Sequence, residues 1–193
     1  AFDSSSAQTL SLLTELRHAV EHHELRLYLQ PKVPLHGQPG LAAEALVRWQ
    51  HPQRGLVPPM QFIPFAEQTG FVRHLTLWMF EEVARLLADP RTQGLPLRVS
   101  VNLSTRDLLD PELSHRLADI LARHGVAASA FCLEITESAI MDDPQRAEAM
   151  LNRLSEQGFK LSIDDFGTGY SSLAYLKRLP VDELKIDTVS YTH

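Results

Sequence analysis

From Leu97 onward the chain alternates short apolar runs with amphipathic stretches, and this alternation restricts the available folds more than any single residue does. Leu97-Arg98-Val99-Ser100-Val101-Asn102-Leu103-Ser104 reads as a strand and Pro111 to His124 as a helix. Phe131-Cys132-Leu133-Glu134-Ile135-Thr136-Glu137 reads as a strand, Pro144 to Gln157 as a helix and Lys160 to Ile163 as a strand. Ser171 to Arg178 is then helical, and Glu183-Leu184-Lys185-Ile186-Asp187 is a further strand. Strand and helix in this succession predict parallel βαβ units, arranged either as a closed barrel or as an open doubly wound sheet. A doubly wound sheet calls for a Gly-rich phosphate loop after its first strand, and none is present, so a (β/α)₈ barrel is favoured.

Ahead of this region, Leu10, Leu13, Leu16 and Val20 are spaced for one face of a helix over 8–22. Leu25 to Val33 reads as a strand stopped by Pro34 and the Gly37-Gln38-Pro39-Gly40 turn. Leu41 to Trp49 reads as a second strand, and the two are expected to form a hairpin. A Pro-rich stretch from His51 to Pro59 leads into a long helical pattern from about Gln61 to Ala88, broken near Gly70. Residues 1–8 read as a linker.

The length, 193 residues, suits one domain with a sizeable core. A net charge of −6 argues against a broad basic surface for a nucleic-acid polymer. It does not argue against a small phosphorylated ligand, since bound metals invert the local sign. Cys132 is the only cysteine, so an intramolecular disulfide and a thiolate zinc site are both excluded. A reducing cytoplasm is the expected setting, and no apolar run reaches the length of a membrane span.

Polar side chains recur where the strands are expected to end: Glu44 through Arg48, Asn102, Glu134 with Glu137, Asp164 with Asp165, and Lys185 with Asp187. In a barrel that edge gathers side chains from several strands into one site. Each residue alone has a structural reading: a solvated strand-end charge at Glu44, a turn cap at Asn102, an ion pair at Glu134, Glu137 or Lys185, an Asp-Asp turn at 164–165. Together they are hard to explain in that way. Glu44, Asn102, Glu134 and Asp164 are all oxygen donors, which suit a hard dication such as Mg²⁺ or Mn²⁺ better than zinc. Asp165 could serve a second ion, and two metals roughly 3.5–4 Å apart are a common arrangement for phosphodiester hydrolysis. Lys185 fits as a cation near the attacking water or the phosphate. None of the nine histidines forms a two-His ligand spacing on a strand end, and they read as surface or capping residues.

Glu44-Ala45-Leu46-Val47-Arg48-Trp49 resembles the signature of the EAL-domain phosphodiesterases, which hydrolyse the bacterial second messenger cyclic di-GMP. The supporting motifs follow in order: Leu29-Gln30-Pro31-Lys32-Val33, Phe62-Ile63-Pro64-Phe65-Ala66-Glu67, Val101-Asn102-Leu103-Ser104, Glu134-Ile135-Thr136-Glu137-Ser138, Asp164-Asp165-Phe166-Gly167-Thr168-Gly169 and Leu184-Lys185-Ile186-Asp187. The resemblance covers about 9–187 and implies a modified TIM barrel whose first strand runs antiparallel to the rest. It implies Mg²⁺ or Mn²⁺ held by Glu44, Asn102, Glu134 and Asp164, with Asp165 on the second ion. Lys185 would orient the catalytic water, and Gln30, Leu46 and Arg48 would contact the dinucleotide. Glu137 would anchor the loop after Asp165, in a region from Phe166 to Arg178 expected to form a homodimer. The product would be linear pGpG, and a sensory or GGDEF-type domain is expected upstream in the parent, whose other domains could carry a membrane tether.

Family members continue beyond the Lys185 strand through two more strand–helix units that carry a further glutamate ligand. Here 188–193 do not resemble that continuation, so the resemblance implies a truncated copy with weak or no turnover. Two alternatives stand beside hydrolysis: a receptor that binds cyclic di-GMP without cleaving it, and an interaction domain using 166–178.

Overall fold

The computed structural model describes residues 3–33, 40–166 and 173–186. Helix α1 (Asp3–Glu21) leads into strand β1 (Leu25–Lys32), strand β2 (Leu41–His51) and the short strand β3 (Gly55–Val57). Helices α2 (Pro59–Thr69) and α3 (Val72–Ala88) precede β4 (Leu97–Leu103), which α4 (Thr105–Leu108), α5 (Leu113–His124) and a 3₁₀ turn at Ala128–Ala130 connect to β5 (Phe131–Thr136). Helices α6 (Glu137–Asp142) and α7 (Pro144–Glu156) then lead to β6 (Lys160–Phe166), and α8 (Leu173–Leu176) to β7 (Glu183–Ile186).

The strand order is β1-β2-β4-β5-β6-β7, with β3 beside β2. β1 and β2 pair antiparallel, whereas β2, β4, β5, β6 and β7 are parallel. This is the α/β arrangement of a TIM-like barrel with an inverted first strand, as expected. One long-range contact shows how strongly the sheet curves. Lys32 on β1 forms an ion pair with Glu134 on β5, three strands away in the sheet order. On a flat sheet three spacings of about 4.8 Å would hold the two backbones some 14 Å apart, beyond comfortable side-chain reach.

The parallel strands present a continuous apolar face to the helices. Val99, Val101, Leu103, Phe131, Leu133, Ile135, Leu161 and Ile163 are all buried. Phe80 of α3 stacks on Phe131 at 4.2 Å, and Phe159 meets Phe80 edge-on at 5.7 Å. Trp49 is fully buried, packs edge-on against Phe62 at 5.6 Å and donates Nε1–H to Glu24. Cys132 is buried and free, as a small core residue.

Several boundaries differ from the sequence expectation. Gly70 breaks the long helical pattern as anticipated: at φ 79° it takes the left-handed cap conformation, and α3 restarts at Val72. The helix expected from 8 begins at Asp3, within the stretch read as a linker. The Pro-rich stretch contains β3, whose register pairs Trp49 with Val57 and so lengthens β2 to His51. His51 is buried, not at the surface: its Nδ1 accepts the backbone N–H groups of Gln53 and Arg54, which directs Nε2–H at Glu15. It caps the turn into β3.

Candidate functional site

Alternation along the strands places Gln30, Glu44, Leu46, Arg48, Asn102, Glu134 and Asp164 on one face, with Asp165, next to Asp164, outside that alternation. On β1 and β2, Gln30 lies opposite Glu44, Tyr28 opposite Leu46 and Arg26 opposite Arg48. The parallel register aligns Glu44 with Ser100, Asn102 with Glu134, and Glu134 with Ser162. Registered neighbours point to the same side of a sheet, so this face is polar while its reverse is the core just described.

Glu44 is not at the end of its strand, contrary to expectation. It is the last β2 residue paired with β4, and β2 runs on to His51 because β1 and β3 continue to support it. For the parallel part of the sheet Glu44 nevertheless marks the C-terminal edge. Asp164 and Asp165 also lie inside a strand, not in a turn after it: β6 extends to Phe166 across a register irregularity between Ile163 and Phe166. Asp165 there has φ 55°, a left-handed conformation that Asp tolerates better than most residues, and its N–H donates to Asp164 Oδ1 at 2.9 Å.

The side chains associate as two groups. Asn102 donates Nδ2–H to Glu44 Oε1 at 3.1 Å. Glu134, only 2% exposed, meets the ammonium groups of both Lys32 and Lys185 through one oxygen, Oε1. Burial pushes the Glu134 carboxyl up, but the hydrogen bonds from Lys185 and Lys32 outweigh that and hold it below the usual range. Lys185 behaves conversely: burial lowers its pKa, and the bond to Glu134 more than reverses this, so its amine is firmly an ammonium. Burial and the nearby Glu183 and Glu134 carboxylates keep the Cys132 thiol protonated.

Among the described residues, no three His, Cys, Asp or Glu side chains gather closely enough to enclose a metal ion. The donor set still fits a hard dication in chemistry, being composed of carboxylates and one amide, and in placement, since adjacent parallel strands supply it to one face.

A cleft of about 680 Å³ opens beside this face, between the strand ends and α2, α3, α4 and α6. Leu46, Asn102 and Glu134 line it, whereas Gln30, Glu44, Arg48, Asp164 and Lys185 do not. Arg48 instead lies over the Tyr28 ring, 5.7 Å from its centroid. Arg106 ties the cleft's outer wall together by donating to the Glu67 and Gln68 carbonyls, at 3.2 and 3.1 Å, which satisfies the end of α2. Behind Asn102, Ser104 and Asp107 form a reciprocal capping box that starts α4. Glu137 is buried at the first position of α6, where a carboxylate is favoured by the helix dipole. The loop it is expected to anchor, residues 167–172, lies outside the described residues, as does Asp187.

Two partners were not anticipated from the sequence. Lys32 lies two residues after Gln30 and so on the same face, a signal that alternation alone carries. Ser100, which accepts from Lys32 at 2.9 Å, carries no such signal because strand serines are common.

The family model described as "EAL domain" matches residues 13–191, four residues past the end of the resemblance read from the sequence. The chain is 42% identical over 188 residues to a bifunctional diguanylate cyclase/cyclic di-GMP phosphodiesterase, MucR of Pseudomonas aeruginosa, covering 97% of this chain and 27% of that protein. It is 40% identical over 180 residues to the cyclic di-GMP phosphodiesterase PdeR of Escherichia coli, covering 93% of this chain and 27% of that protein. The chain thus spans about a quarter of the length of these relatives. Among solved structures, the PaMucR phosphodiesterase in complex with c-di-GMP superposes with a TM-score of 0.85 at 44% identity, over 92% of this chain and 72% of that one. The c-di-GMP-bound EAL domain of FimX from Pseudomonas aeruginosa gives a TM-score of 0.83 at 27% identity, over 91% and 71%.

Proposed function

Since this chain belongs to the EAL-domain family, we propose that it is a metal-dependent phosphodiesterase domain that hydrolyses cyclic di-GMP to linear pGpG. The observation that carries this reading is the shared polar face, on which Asn102 and Glu134 stand at paired positions, Glu44 accepts from Asn102 at 3.1 Å, and Lys185 pairs with Glu134. Glu44, Asn102, Glu134 and Asp164 would hold Mg²⁺ or Mn²⁺, with Asp165 serving a second ion. When bound, such ions lower the pKa of water and neutralise charge on the phosphate.

The chain's own groups divide the remaining work. Lys185 stays an ammonium, so its Nζ can donate a hydrogen bond to the attacking water but cannot take its proton. The proton that the water loses would pass to solvent or to a carboxylate on the same face. The Arg48 guanidinium would grip a phosphate oxygen, and Gln30 and Leu46 would contact the dinucleotide, Leu46 from the wall of the cleft. Glu137 would anchor the loop that follows Asp165.

The parent protein would join this domain to a sensory or GGDEF-type domain and would dimerise through the Phe166–Arg178 region. We place it in the cytoplasm, where its nucleotide substrate is found; among the described residues no helix is long and apolar enough to cross a membrane.

Incubation with cyclic di-GMP and Mg²⁺ or Mn²⁺ tests the assignment. The expected result is pGpG formation by the wild type and a loss of at least about a hundredfold for Glu44→Ala. Binding without product would instead identify a receptor, and absence of binding would leave only an interaction domain.

A further inference from the structure

We propose that Lys32 is a positioning residue that sets how tightly the site holds a divalent cation, by competing for Glu134. The inference rests on the metal-dependent reading above and concerns a residue to which that reading gives no role.

Lys32 comes from β1, at one end of the strand order, and Lys185 from β7, at the other. Both ammonium groups nevertheless meet the same atom, Glu134 Oε1. A carboxylate oxygen has two in-plane lone pairs, so two ammonium donors saturate it. A cation that binds through this oxygen has to displace one of them. Lys32 is the better anchored, since its Nζ also donates to Ser100 Oγ at 2.9 Å. Ser100 in turn is buried and registered between Glu44 and Cys132, which fixes that anchor at the level of the proposed ligands. The competition is electrostatic as well as steric: an ammonium held within a few ångströms of a dication site opposes binding at any position it adopts.

The test is calorimetric titration of the whole chain with Mn²⁺ alone, without nucleotide, for the wild type, Lys32→Met and Lys32→Gln. Circular dichroism establishes that each variant is folded, and the Gln variant covers failure of the Met variant to fold. The expected result is Mn²⁺ binding at least about tenfold tighter in the variants, together with a lower metal-free Tm and a larger rise in Tm on adding Mn²⁺. Nonspecific damage to the site would change affinity in the opposite direction. Equal or weaker Mn²⁺ binding by folded variants overturns the proposal and leaves the metal-dependent reading intact. A wild type that takes up no Mn²⁺ overturns both.

Discussion

Asp107 lets the protonation of a buried carboxyl be read as fold stability. Its side chain is 1% exposed, and Oδ2 accepts three hydrogen bonds: from Ser104 N at 2.8 Å, from Ser104 Oγ at 2.9 Å and from Thr76 Oγ1 at 2.8 Å. All three donors are neutral. Burial therefore prevails over them and pushes the pKa from 3.8 up to about 6. Below the unfolded value both states hold the proton and the group contributes no pH dependence. Between 3.8 and about 6 the folded chain keeps a proton that the unfolded chain has released, so stability falls as pH rises through that window and then levels off. At about 1.4 kcal/mol per pH unit, the loss from this group amounts to about 3 kcal/mol by pH 7. Asp107→Asn removes the ionisation while an amide oxygen in the place of Oδ2 still accepts the three bonds. Urea denaturation of wild type and variant, followed by circular dichroism from pH 4 to pH 8, measures the difference, with the m-value checked at each pH. The variant should gain about 3 kcal/mol relative to wild type between pH 4 and pH 7. A stability difference that stays constant with pH would refute the reasoning.

Two further outcomes follow from the core. Phe80→Ala removes a fully buried ring that stacks on Phe131 and meets Phe159, and should cost about 3–5 kcal/mol in denaturant titrations. Ser162 is fully buried on the polar face, and its Oγ has no hydrogen-bond partner among the described residues. Ser162→Ala should therefore raise stability, by about 1 kcal/mol or more, as a higher Tm in calorimetry.

The strand–helix alternation after Leu97 was legible because parallel strands buried on both faces are nearly continuous apolar runs, and β5 is buried at five of its six positions. The hairpin was legible from the Gly37–Gly40 turn signals, although residues 34–39 lie outside the described residues. The same local reasoning failed for β3, where Gly55-Leu56-Val57 is too short to show a period and is defined only by its pairing with β2. It failed also at Asp164 and Asp165. Two adjacent carboxylates before a glycine imply a turn locally, yet pairing with β7 carries the strand on to Phe166.

The site divides along the same line. Polar residues recurring toward the ends of successive expected strands were enough to gather Glu44, Arg48, Asn102, Glu134, Asp164 and Lys185 at one edge of an α/β fold, whereas Gln30 and Leu46 entered only through the family resemblance. Which of them touch was decided by tertiary structure. Glu44 meets Asn102, 58 residues away, and Glu134 meets Lys32, 102 residues away, and Lys185, 51 residues away. Alternation is a property of each strand's own backbone and can be read locally. Partnership depends on register between strands and on the curvature that brings β1 and β7 over β5, and both are set by packing of the whole sheet against its helices.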